Sequence, residues 1–126
     1  MISKNKVIYI IDEFKQIKKE NKFTKKENIN EFDLNNIGFS ERKLKLYQYI
    51  YVLSYDEILD LTALVVVGKD IYNKTGYPNN FVLQRKHFNE LYKNDDERNK
   101  HLAIYIIQKN LLDKYLKAAL NIFWKL

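Results

Sequence analysis

Two groups of carboxylates are the first side chains in this sequence that could do chemistry: Asp56, Glu57 and Asp60, and then Asp95, Asp96 and Glu97. Paired carboxylates act as general acid and base when a cleft drives their pKa values apart. Both groups, however, stand at the head of an apolar periodic run, where acidic residues cap a helix and offset its dipole. Their expected role is structural. The histidines, His87 and His101, fall in different segments at no metal-ligand spacing, and cysteine is absent, so neither a metal site nor a thiolate nucleophile is expected. Gly68-Lys69 looks like the end of a phosphate loop but lacks the earlier glycine and the following Ser or Thr. No cofactor and no enzymatic activity are expected. A reaction would require Asp56, Asp60 or His87 to line one pocket.

Binding chemistry is the other option. The chain carries a net charge of +6, with a pI near 9.3, and neutralising phosphate is a common use of excess cation. Lys15, Lys18, Lys19, Lys22, Lys25 and Lys26 form the densest cationic run and the candidate binding face. Arginine, the usual bidentate base reader, occurs only at positions 42, 85 and 98, and abundant Lys, Asn and Ile also fit the codon bias of an AT-rich genome. Tyr47, Tyr49, Tyr51 and Tyr55, beside Lys43 and Lys45, could stack on single-stranded bases. On a helix those rings point in several directions, and the favoured reading is core tyrosine with a polar tip.

These residues are positioned by elements that the hydrophobic period reveals. Ser3 caps a first helix whose Val7, Ile10, Ile11, Phe14 and Ile17 share one face, with Lys15, Lys18, Lys19 and Lys22 opposite. Residues 21–39 read as a polar loop with scattered aromatics. Ser40 and Glu41 open a second helix through about Leu53; its alternating Lys, Leu and Tyr residues imitate a strand, but Leu46, Ile50 and Leu53 keep a helical stripe. Ser54 and Glu57 form a capping box ahead of a third helix. It carries Asp56 and Asp60 on a wet face and is apolar all round from Leu61 to Val67, with Gly68 as either its C-terminal glycine or a close-packing point.

Asn73 to Asn80 holds Gly76 and Pro78 and reads as a loop. A fourth helix to Tyr92 is expected to bury Phe81, Phe88, Leu91 and Tyr92. A fifth, started by Asp95 or Asp96, faces inward with Leu102, Tyr105 and Ile106. The last, after a break at Asn110, buries Leu112, Leu116, Ala119, Leu120 and Phe123 and leaves Asp113, Lys114 and Lys117 wet.

The order Leu53, Asp56-Glu57, Leu61, Ala63-Leu64, Val67-Gly68-Lys69, Tyr105, Leu111-Leu112, Tyr115-Leu116 and Leu120 resembles a family of small uncharacterised bacterial helical proteins. A serine-capped N-terminal helix precedes that block in the family, and Ser3 to Ile11 match it. The chain departs from the pattern at Val66, Val67, Lys69 and Asn110, where the family has an aromatic before the glycine, an arginine after it and a proline. The resemblance implies a helical fold and carries no reaction.

Together these readings give an all-α protein: one compact domain over residues 1–126, with five or six helices packed around a central buried helix at residues 54–67. A hydrophobic fraction of 46% with 30% charged residues is that of an ordinary globular domain. The apolar start at Val7 to Ile11 is too short for a signal peptide and no run suits a membrane span, so a cytoplasmic, membrane-free setting is expected. The expected function is that of a non-enzymatic interaction, inhibitor or regulatory module. Its partner would be another protein or a second copy of itself, with nucleic acid on the lysine-rich face as the alternative.

Overall fold

The structure, a computed structural model, describes residues 1–21, 40–75 and 80–123. Among these the chain forms six helices and no strand: α1 (Lys4–Asn21), α2 (Glu41–Tyr51), α3 (Tyr55–Asn73), α4 (Phe81–Tyr92), α5 (Arg98–Ile107) and α6 (Leu112–Phe123). The fold is all-α, as the hydrophobic periods indicate. The expected polar loop at 21–39 lies outside the described residues except for Asn21, which ends α1.

Local chemistry sets the helix starts. The Ser3 hydroxyl accepts from the Lys6 amide at 3.2 Å, Ser40 from Lys43 at 3.0 Å, and the Asn80 side chain from Leu83 at 2.9 Å. At Ser54 both halves of the capping box are made, with the Glu57 amide donating to Ser54 Oγ and Glu57 Oε1 accepting from the Ser54 amide. Each such cap satisfies an amide that the first helical turn leaves unpaired, a contribution of about 1 kcal/mol. The α5 start differs from expectation. Asp95 stands outside the helix and accepts from the Glu97 amide at 2.8 Å, while Glu97, at the cap position, makes no side-chain cap bond.

The core follows the predicted stripes. Val7, Ile10, Ile11, Phe14 and Ile17 of α1 are all buried, as are Leu46 and Ile50 of α2 and Leu53 just beyond it, so the strand-like alternation in α2 yields to its helical stripe. In α3 every residue from Ile58 to Val65 is buried, including the Thr62 hydroxyl, which donates to the Ile58 carbonyl at 2.7 Å. That helix packs most extensively on α6, then on α4 and α5, and α1 closes the other side of α6.

Gly68 does not end α3, which runs on to Asn73 and stops where Lys74 turns left-handed with φ 52°. Its amide donates to the Asp70 and Ile71 carbonyls. Gly68 is instead a close-packing point. A Cβ built there would overlap the Tyr115 carbonyl oxygen and lie 2.6 Å from its carbonyl carbon, so the backbones of α3 and α6 meet where only hydrogen fits.

Three expectations are overturned. Asp60, read as part of a wet face, is 5% exposed, and Asp113, read as wet, is 3% exposed. Each is buried because a cation distant in sequence reaches it, Arg85 for Asp60 and Lys18 for Asp113. Leu91, placed in the core by its apolarity, is 60% exposed.

Candidate interaction face

The six lysines of the predicted binding face separate into three groups. Lys22, Lys25 and Lys26 lie outside the described residues. Lys18 is a strut: its ammonium lies 3.1 Å from Asp113 Oδ1 in the first turn of α6, tying α1 to α6. Lys15 and Lys19 remain exposed on α1 and make no ion pair with a described residue. Beside them Arg42 holds Glu13 at 3.0 Å and Glu20 at 2.9 Å, so acidic residues interrupt the cationic stripe. Those two carboxylates hold the guanidinium above its ordinary value, the hydrogen bond it donates to Glu20 first.

Of the two acidic groups, Asp95, Asp96 and Glu97 line one groove, whereas Asp56, Glu57 and Asp60 are taken up by partners elsewhere in the chain. Asp60 Oδ1 receives Arg85 Nε at 2.6 Å and its Oδ2 receives the Ile2 amide at 2.7 Å, with the Met1 nitrogen 3.6 Å away. Its lone pairs are thus occupied by the chain itself. Asp56 is exposed and 3.2 Å from the same guanidinium. Burial opposes charge on Arg85, but Asp60 and Asp56 together outweigh it and hold the guanidinium above its usual range. Glu57 takes Lys6 Nζ at 2.6 Å, a hydrogen bond that lowers the carboxyl and raises the ammonium. His87 is exposed on α4, about 160° around the helix from Arg85. Among the described residues no group of three His, Cys, Asp or Glu side chains is placed to hold a metal.

Sequence reasoning missed the pairing of His101 Nδ1 with Asp95 Oδ2 at 2.6 Å, which lowers the Asp95 carboxyl below its ordinary value. It sits beside a broad groove of about 760 Å³ lined by Tyr51, Val52, Asp95 and Asn99, among others. Asn99 fastens the α2–α3 corner by donating to the Tyr51 and Leu53 carbonyls at 3.0 and 2.8 Å. The spacing of Asp95 and His101 across a helix start is the one signal that could have found the pair.

The four tyrosines disperse. Tyr47 is buried with Tyr51 stacked on it at 5.9 Å, Tyr49 meets Tyr9 at 4.5 Å, and Tyr55 receives the Arg98 guanidinium 4.2 Å over its ring. They form no single stacking platform; Tyr47 is core as the favoured reading has it, whereas Tyr49 and Tyr55 are half-buried and Tyr51 is exposed.

Helix α4 is where apolar side chains are left over. Phe88 is its sole buried residue. Its inward side is fastened by Phe88 against Tyr105 at 5.5 Å, Phe81 against Phe123 at 5.4 Å, Arg85 on Asp60, and the Tyr55 hydroxyl donating to Asn89 at 3.0 Å. At 100° per residue the opposite arc carries Val82, Leu83, Lys86, His87, Glu90 and Leu91. Val82, Leu83 and Leu91 are 73%, 58% and 60% exposed. Leu83, Lys86, His87 and Glu90 line a shallow groove of about 520 Å³ along it. Lys86, His87 and Glu90 interleave these aliphatic residues, whereas Phe81, Phe88 and Tyr92 share a narrow arc on the inward side.

Among the described residues no helix is long and apolar enough to cross a membrane. Comparison with family models, curated proteins and solved structures finds no match to this chain.

Proposed function

We propose that this chain is a non-enzymatic protein-interaction module, acting in the cytoplasm, whose contact face is the outward side of α4. The observation that supports this reading is the row of exposed Val82, Leu83 and Leu91 on a helix that buries only Phe88. Single exposed apolar residues are ordinary, but Leu83 and Leu91, about 80° apart around one helix with Leu83 lining a groove, are what a helix-in-groove or helix-on-helix contact uses. Two of the charged candidates, Asp60 and Lys18, are engaged within the fold. Membership of the small bacterial helical family that the spacing resembles belongs to the same proposal.

Nucleic-acid binding is the second reading, favoured by Lys15 and Lys19, which are exposed and make no ion pair with a described residue. A pull-down from source-cell lysate separates the two, run with and without nuclease, using wild type, Leu83→Asp/Leu91→Asp and Lys15→Glu/Lys19→Glu. A protein retained by wild type in both arms and lost from the α4 variant is the expected result. Retention that vanishes with nuclease or with the lysine variant would transfer the function to nucleic acid.

A further inference from the structure

We infer that the α4 face is built for a second copy of this chain, docked antiparallel about a two-fold axis midway between the levels of residues 87 and 88, so that Leu83 meets Leu91 of the second copy and Lys86 meets its Glu90. This inference rests on the reading of α4 as the contact face. A two-fold contact pairs residue i with j and j with i, so its surface must be complementary to itself. Leu83 and Leu91 lie four residues before and after His87, on the same exposed arc and about 12 Å apart along the axis. Lys86 and Glu90 bracket position 88, one residue along, so an antiparallel copy brings each lysine opposite a glutamate.

The state of those charges supports the match. Lys86 and Glu90 are both exposed, one turn apart, yet they make no ion pair with each other or with any other described residue. Their sum is zero on a protein of net charge +6. Two copies can therefore meet at α4 without the repulsion that the rest of the surface imposes, whereas an acidic partner would be drawn to the lysines elsewhere. One face of a twelve-residue helix is smaller than the roughly 800 Å² per partner of a standard interface, so the association is weak and concentration-dependent.

Sedimentation velocity of the full chain over a wide concentration range tests this. Wild type should move from monomer to dimer with increasing concentration. Lys86→Glu alone and Glu90→Lys alone should each weaken association by at least about tenfold, because each sets like charges opposite one another twice. An equimolar mixture of the two variants should restore it, since every contact then pairs opposite charges. Circular dichroism verifies that both variants keep the wild-type helix content. Wild type that stays monomeric throughout, or a mixture that associates no better than its components, overturns the inference. If that happens while Leu83→Asp/Leu91→Asp still loses a retained protein in the pull-down, the second copy is excluded and the α4 reading stands; if that variant also retains everything, both fall.

Discussion

The α3–α6 crossing and helix α4 use apolar residues in opposite ways. At Gly68 two backbones approach so closely that a methyl group has no room, and Leu61, Leu64, Leu112 and Leu116 nearby in sequence are all fully buried. Helix α4 rests on the same body through two rings, one arginine and one tyrosine hydroxyl, and turns three aliphatic side chains to solvent. The contrast teaches where the fold is determined and where surface is left for something else. Close packing at the crossing holds the domain together, while the outer arc of α4 contributes little to stability and is available for contact.

The largest effect should come from Gly68→Ala. At an open helical position this change would add about 1 kcal/mol of stability through helix propensity. Here the new Cβ strikes the Tyr115 carbonyl, and overpacking against backbone should reverse the sign to a loss of about 3 kcal/mol, read from a urea melt. A stabilised variant would mean that the helices separate easily and the comparison fails.

Phe88→Ala should cost nearly as much, about 3 kcal/mol, because it removes the one buried side chain of α4. Hydrogen exchange would localise the damage, with α4 amides losing protection before those of α3. Asp60→Asn should follow at about 2–3 kcal/mol by thermal melt. It leaves Arg85 without its main counter-charge, yet a third of that side chain stays in water, which tempers the cost of a fully buried broken pair.

Acid gives a smaller and graded loss. Glu57 and Asp95 both titrate below their ordinary values of 4.5 and 3.8, so the folded state favours their charged forms. Their stabilisation is complete above those values and is lost as pH falls through the lower folded-state ones. Glu57→Gln should flatten the acid limb of stability against pH, with the Lys6 contact removed; an unchanged limb would show that the pair contributes nothing.

Much of the fold was legible in the sequence because it depends on local periods and caps. Ser3, Ser40 and Ser54 announce three helix starts, and the α1 stripe from Val7 to Ile17 needs only a 3.6-residue repeat to be assigned inward. What was not legible depends on distant partners. Asp60 looks wet until Arg85, 25 residues on, is known to reach it, and Asp113 looks wet until Lys18, 95 residues back, does the same. Of the candidate binding lysines, Lys18 is the one whose ion pair, to Asp113, was not legible for that reason. On α4, Phe81, Phe88 and Tyr92 share a narrow inward arc, while Leu91, placed with them by its apolarity, lies about 60° from Phe88 on the outward arc that also carries Lys86, His87 and Glu90.

The central claim, that the outer arc of α4 is contact surface rather than core, is tested most directly by a urea melt of Leu83→Asp/Leu91→Asp at low protein concentration. The account predicts a stability within about 0.5 kcal/mol of wild type, as for other exposed positions. A loss of about 2 kcal/mol or more, the cost of disrupting buried leucines, would contradict it and return Leu83 and Leu91 to the core.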